Sequence, residues 1–197
     1  MLIQVPYIIN SMYSILDTKN TSELYLVRKG WFSREIELTD NTHSYGKIVY
    51  HRLSKRIATV ITASDTWIFK QAQNSYRYIS VTDANGVELG TATRDLFSKI
   101  TTLSLQTGFV AKFYKPSVWS QHYIWESDDY GKIMQIYSHP YSLKDVVIID
   151  QSMTPVSLIP LLTFFGSYLV VLKRRRNRSV ANSLLLAWWG GRNAKRQ

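Results

Sequence analysis

From Glu23 to Ile149 the chain alternates apolar and polar positions with a period of two, and the apolar positions hold mostly β-branched and aromatic residues. That period belongs to half-buried strands. About ten short runs carry it: 24–28, 36–38, 47–52, 58–62, 66–70, 77–82, 109–114, 122–126, 132–137 and 146–149. Turn residues fall between the runs. Asp83-Ala84-Asn85-Gly86 offers an Asn-Gly pair suited to a tight hairpin, and Asp128-Asp129-Tyr130-Gly131 and Thr42-His43-Ser44-Tyr45-Gly46 read as turns of a similar kind. The three glycines are 40 and 45 residues apart, so the spacing is compatible with a loose repeat and equally with an ordinary meander. A short helical break is expected around Thr93 to Lys99.

After Asp150 the pattern changes. Val156 to Leu172 runs without a charge (VSLIPLLTFFGSYLVVL), and Thr154-Pro155 before it suits an N-cap followed by a proline in the first turn. This predicts one strong helix, with Pro160 near its start, where a missing amide donor matters least. Lys173-Arg174-Arg175-Arg176-Asn177-Arg178 follows, then an apolar patch over Leu184–Trp189, then a basic end. The organisation expected is a lead-in over 1–22, a β domain with its helix (155–172) over 23–172, and a basic tail over 173–197.

A helix apolar all round belongs either in a bilayer or inside a protein. Seventeen residues span about 26 Å at roughly 1.5 Å per residue, slightly less than a hydrocarbon core of about 30 Å. A spanning helix flanked by Lys173–Arg178 would keep its C-terminus in the cytoplasm and send the β domain across the membrane. The first ten residues lack the positive start and cleavage site of an export signal. Burial inside a closed sheet satisfies the helix as well and removes exposed strand edges. The hairpins Tyr78–Gly90 and Tyr123–Ile133, ended by an apolar helix after a strand and Asp150, resemble the tubby-like superfamily, which includes LURP-one-related proteins and phospholipid scramblases. The resemblance covers about 24–172 and implies a closed antiparallel barrel of twelve strands around a hydrophobic helix at Val156–Leu172. The fold expected is therefore all-β with one C-terminal apolar helix at the barrel's centre. No lipid-contacting residue of that superfamily has a matching position here.

Composition narrows the function. The chain has 197 residues, 45% hydrophobic, enough for one substantial core, and no cysteine, which removes disulfides, thiolate metal sites and cysteine nucleophiles. The net charge of +10 is unevenly placed: residues 1–172 carry 16 Lys and Arg against 14 Asp and Glu, whereas 173–197 carry eight Lys and Arg and no acid. Charge thus directs attention to the tail. Lys173, Arg174, Arg175, Arg176, Arg178, Trp188, Trp189 and Arg192 form the candidate lipid-contacting set, since cations meet anionic headgroups while Trp sits at headgroup depth. Packing of the tail on a protein partner, or contact of its arginines and tryptophans with nucleic acid, are the competing readings. His43, His51, His122 and His139 show no ligand spacing, and Glu126–Asp129 reads as a solvated turn rather than a cation loop. No nucleophile, phosphate-loop or dinucleotide motif occurs, so no cofactor, metal or catalytic residue is expected. The reading is a non-catalytic, cytoplasmic lipid-surface or scaffold protein. An integral single-pass protein serving an envelope or secretion assembly and an enzyme with an unrecognised pocket are the alternatives.

Overall fold

A computed structural model describes residues 12–17, 21–31, 33–52, 54, 56–139, 142–150 and 156–193, with the side chains of the last helix described as far as Arg176. Twelve strands come first: β1 (Glu23–Arg28), β2 (Glu35–Thr39), β3 (Ser44–Tyr50), β4 (Ile57–Thr62), β5 (Thr66–Gln71) and β6 (Tyr78–Asp83). Then follow β7 (Glu88–Arg94), β8 (Thr101–Leu105), β9 (Val110–Tyr114), β10 (His122–Ser127), β11 (Gly131–Tyr137) and β12 (Lys144–Ile149). A single helix, α1 (Leu158–Asn193), ends the described chain. Each strand pairs antiparallel with the next, and β1 closes on β12 with Leu24 opposite Val147, giving a complete barrel with no free edge.

Alternation decides what faces inward. Leu24 and Leu26, Ile36 and Leu38, Val60, Phe69, Val81, Leu103, Phe113, Trp125, Ile136 and Val147 all point into the interior and are buried. The apolar stretch of α1 fills that interior: Leu162, Phe164, Phe165 and Tyr168 have no exposed surface at all. The uncharged run is sheathed by its own polypeptide. Phe165 meets Phe69 edge-on, with ring centroids 5.0 Å apart, and lies 6.2 Å from the Trp125 ring. Leu16, from the lead-in, joins the same core. Among the described residues no helix is long and apolar enough to cross a membrane.

One glycine sets how closely sheet and helix approach. A Cβ on Gly166 would lie 2.5 Å from Ile136 Cδ1 and 2.8 Å from Trp125 Nε1. Without it, the Trp125 indole donates to the Leu162 carbonyl oxygen at 2.9 Å, in addition to the helix's own ladder. Trp125→Phe should lower unfolding free energy by about 1–3 kcal/mol, combining a lost hydrogen bond and a small cavity. Urea titration checks this; a midpoint unchanged from the parent would mean that the indole contact carries no stability.

Five sequence expectations are corrected. The strands β7 and β8 escape a hydrophobic pattern search because their inward positions include Gly90, Ala92 and Thr101, and threonines occupy much of the outward face. The helical break at Thr93–Lys99 is instead the end of β7 and a turn in which the Asp95 carboxylate accepts from the Phe97 and Ser98 amides. Gly46 is not a turn residue: it lies within β3 at φ 147, opposite the register shift between Leu38 and Thr39, while Gly86 (φ 84) and Gly131 (φ 63) do serve turns. The hairpin at Asp83–Gly86 has a wider loop than a two-residue turn, organised by the Asp83 carboxylate accepting from the Asn85 and Val87 amides. The helix also continues past Leu172 to Asn193, so residues 173–193 extend α1 instead of forming a separate tail. No Gly or Pro occurs between Gly166 and Gly190 to end it. The Thr154-Pro155 cap lies outside the described residues.

Candidate functional site

In an antiparallel meander closed into a barrel, loops after odd-numbered strands share one end and loops after even-numbered strands share the other. Sorting the side chains by this rule separates them sharply. At the odd-loop end lie Lys29, Arg34, Arg52 and Arg56, then Arg77, Lys99 and Lys115, with Asp95 as the acid among the described loop residues. Among the described residues the even-numbered loops hold Asp40, Asp65, Asp128, Asp129 and Asp150 but no Lys or Arg, although Lys112 on β9 reaches Asp128 at 2.8 Å and Lys132 on β11 reaches Asp150 at 3.8 Å. Near-neutrality of the barrel therefore hides a charge separation along its axis.

Among the described residues the large exposed aromatic side chains all lie at the odd-loop end, whereas exposed aliphatic ones such as Met12, Ile15, Val87 and Val156 also occur elsewhere. Phe97 and Leu96 project from the β7–β8 loop, Trp119 and Val118 from the β9–β10 loop, Trp31 from the β1–β2 loop and Tyr76 from the β5–β6 loop. Phe97 is 93% and Trp119 92% exposed, so neither contributes to the core. Helix α1 leaves the barrel through this end, bringing Lys173, Arg175 and Arg176 with it. The emerging turn borders a cavity of about 520 Å³.

The cavity has a cationic wall and an apolar floor. Arg56, Arg94, Lys99 and Lys115 reach it from the barrel, and among the described residues no Asp or Glu lines it. Ile79, Phe113, Leu169 and Leu172 form the floor, with Tyr123 stacked on Phe113 at 5.2 Å. Lys173 is half-buried here, with Nζ 4.9 Å from the centre of the Tyr123 ring. Burial together with the charges of Lys115, Arg94, Lys99 and Arg176 pushes its amine down to about 8. Burial and Arg176 likewise draw Arg94 below the ordinary arginine value. The cations of this wall repel one another.

Arg174 has a different task from its neighbours. Its guanidinium donates to Ser138 Oγ at 2.6 Å and to the His139 carbonyl at 2.8 Å, and it lies 3.7 Å from the buried Asp145 carboxylate. This fixes the helix against the β11–β12 loop where it exits. Burial raises Asp145, while Arg174 and Arg28 oppose the rise. Arg174→Met should cost about 2 kcal/mol by stranding that carboxylate. The folded-state value of Asp145 then rises further above its unfolded value, so the added instability appears as pH climbs out of the carboxylate range. Urea midpoints should show a smaller deficit at pH 5 than at pH 8; equal deficits would mean that the pair is not what holds the exit.

Of the eight candidate residues read from the sequence, Lys173, Arg175 and Arg176 meet at the cavity, whereas Arg174 is turned to Asp145. The α1 backbone also carries Arg178, Trp188, Trp189 and Arg192, whose side chains lie outside the described residues. Sequence reasoning missed Arg56, Arg94, Lys99, Lys115, Phe97 and Trp119. The available signal was apolar residues inside turn segments, in Asp95-Leu96-Phe97-Ser98-Lys99 and Pro116-Ser117-Val118-Trp119-Ser120, where no buried face needs them. Among the described residues no group of three or more His, Cys, Asp or Glu is arranged to hold a metal. No family model, no curated protein and no solved structure matches the chain.

Proposed function

We propose that the protein binds anionic membrane surfaces without catalysis, docking through the odd-loop end of its barrel. The observation that carries this reading is the coincidence, at one end, of protruding Phe97, Trp119 and Trp31 with the basic loops and the basic turn of α1. Bilayer interfaces reward that combination: aromatic rings enter at headgroup depth, and each cation near an anionic surface contributes about 1 kcal/mol. Charge separation along the barrel would orient the molecule before contact, with the Asp-bearing loops facing away. The extension of α1, with Arg178, Trp188, Trp189 and Arg192 on its backbone, leaves from the same end and would add to attachment.

Architecture supports, as part of this proposal, placing the chain beside the tubby-like superfamily, whose barrel of twelve strands around a helix it resembles. A cytoplasmic, peripheral location accompanies the reading. Vesicle flotation tests it: binding should require anionic lipid, weaken with salt and depend on Phe97 and Trp119. Flotation indifferent to all three would end the proposal.

A further inference from the structure

The cavity beside Lys173 differs in chemistry from the loops around it. Exposed loop cations attract any anionic surface, but this cavity surrounds its occupant with positive groups from β7, the β3–β4, β7–β8 and β9–β10 loops and α1, and it has an apolar floor. We infer that it is a binding site for a phosphate monoester carried on an apolar chain, a ligand of the phosphatidic acid type. The inference deepens the membrane reading and rests on it for the source of the ligand.

Three features select this chemistry. A monoester carries about −1.5 to −2 charges at pH 7 and three acceptor oxygens, against the single charge of a phosphodiester lipid. Arg94, Arg175 and Arg176 offer planar guanidinium forks able to contact two phosphate oxygens at once, and Lys99 and Lys173 add point charges. Phe113, Leu169 and Leu172 give the first methylenes a dry surface. The volume of about 520 Å³ falls in the range of small-ligand sites, roughly 300–1,000 Å³.

A proton should accompany the ligand. Around Lys173 stand Lys115 on the β9–β10 loop, Arg94 on β7, Lys99 on the β7–β8 loop, Tyr123 on β10 and Arg176 on its own helix, with Arg56 and Arg175 elsewhere on the wall. All are cationic except the tyrosine. With its amine at about 8, Lys173 is about half deprotonated at pH 8, and an adjacent dianion restores the charge. Phosphate is already dianionic there, so net uptake reports the lysine.

Calorimetry of the full chain with dioctanoyl phosphatidic acid, dioctanoyl phosphatidylglycerol and glycerol 3-phosphate, each at pH 8 in two buffers of different ionisation enthalpy, tests this. The phosphatidic acid should bind at least about tenfold more tightly than either comparator, with uptake approaching half a proton. Lys173→Arg should keep binding and abolish uptake, because its charge does not titrate. Equal affinity for phosphatidic acid and phosphatidylglycerol would overturn the monoester assignment, and equal affinity for glycerol 3-phosphate would overturn the lipid source. Uptake persisting in Lys173→Arg would overturn the role of the lysine. If phosphatidylserine vesicles still bind while the short lipids are not distinguished, this inference falls and the surface reading stands; the converse result separates them the other way.

Discussion

Phe165→Asp should leave no folded domain at all. The side chain is fully buried at the barrel axis, between Phe69 and Trp125 and 6.1 Å from the Tyr168 ring. Truncating a buried aromatic costs about 3–5 kcal/mol. A carboxylate placed there has no cation in the apolar layer to pair with and would add several kcal/mol more, even if it protonates. The total exceeds the lower part of the roughly 5–15 kcal/mol that holds a domain together. Loss of the cooperative melt and of the β signal in circular dichroism would be the result. Phe165→Leu, which keeps the site apolar, should remain folded with a loss of about 1–3 kcal/mol. A β domain still folded with Asp at 165 would mean that the helix is not enclosed and that the barrel needs no axis.

The barrel was legible wherever inward positions carry large residues. Leu24, Ile36, Ile48, Phe69, Phe113, Trp125 and Ile136 announce their strands by alternation, and the helix announces itself by the absence of charge from Val156 to Leu172. Where the interior is lined by Gly90 and Ala92 instead, the pattern fades, because alternation is detectable only when one face is apolar. Closure could not be read from any residue, since it lies in the pairing of β1 with β12, where Leu24 meets Val147 across almost the whole β region of the chain. What suggested it was the helix, which needed a sheath.

The site divides in the same way. Lys173 to Arg176 form a contiguous basic run and stand out, although Arg174 proves to be bound to Asp145 and the His139 carbonyl. Arg56, Arg94, Lys99 and Lys115 are spread over sixty residues, each looking like an ordinary hairpin cation until topology gathers them at one end. Net charge averaged over the barrel was the misleading quantity. The sum of basic and acidic loops is small, and their separation along the axis carries the information.

Replacing Phe97 and Trp119 together by serine should lower partitioning onto vesicles of phosphatidylcholine and phosphatidylserine by roughly 30-fold, taking about 1 kcal/mol for each ring that enters only the interface, less than the 1.5–3 kcal/mol of full burial. The two losses should add, because the residues sit on separate loops. Thermal stability should stay within about 0.5 kcal/mol of the parent, since both side chains are more than nine-tenths exposed. Val87→Ser provides the control: it too removes an exposed apolar side chain, but from the β6–β7 loop at the opposite end, so flotation should not change. An equal effect from Val87→Ser would mean that the molecule does not dock end-on. Salt then separates the two contributions. Raising ionic strength from 0.1 M toward 1 M shortens the screening length from about 10 Å to 3 Å. At high salt the parent should retain clearly more residual binding than the double variant, which keeps Trp31 but has lost the two most exposed rings.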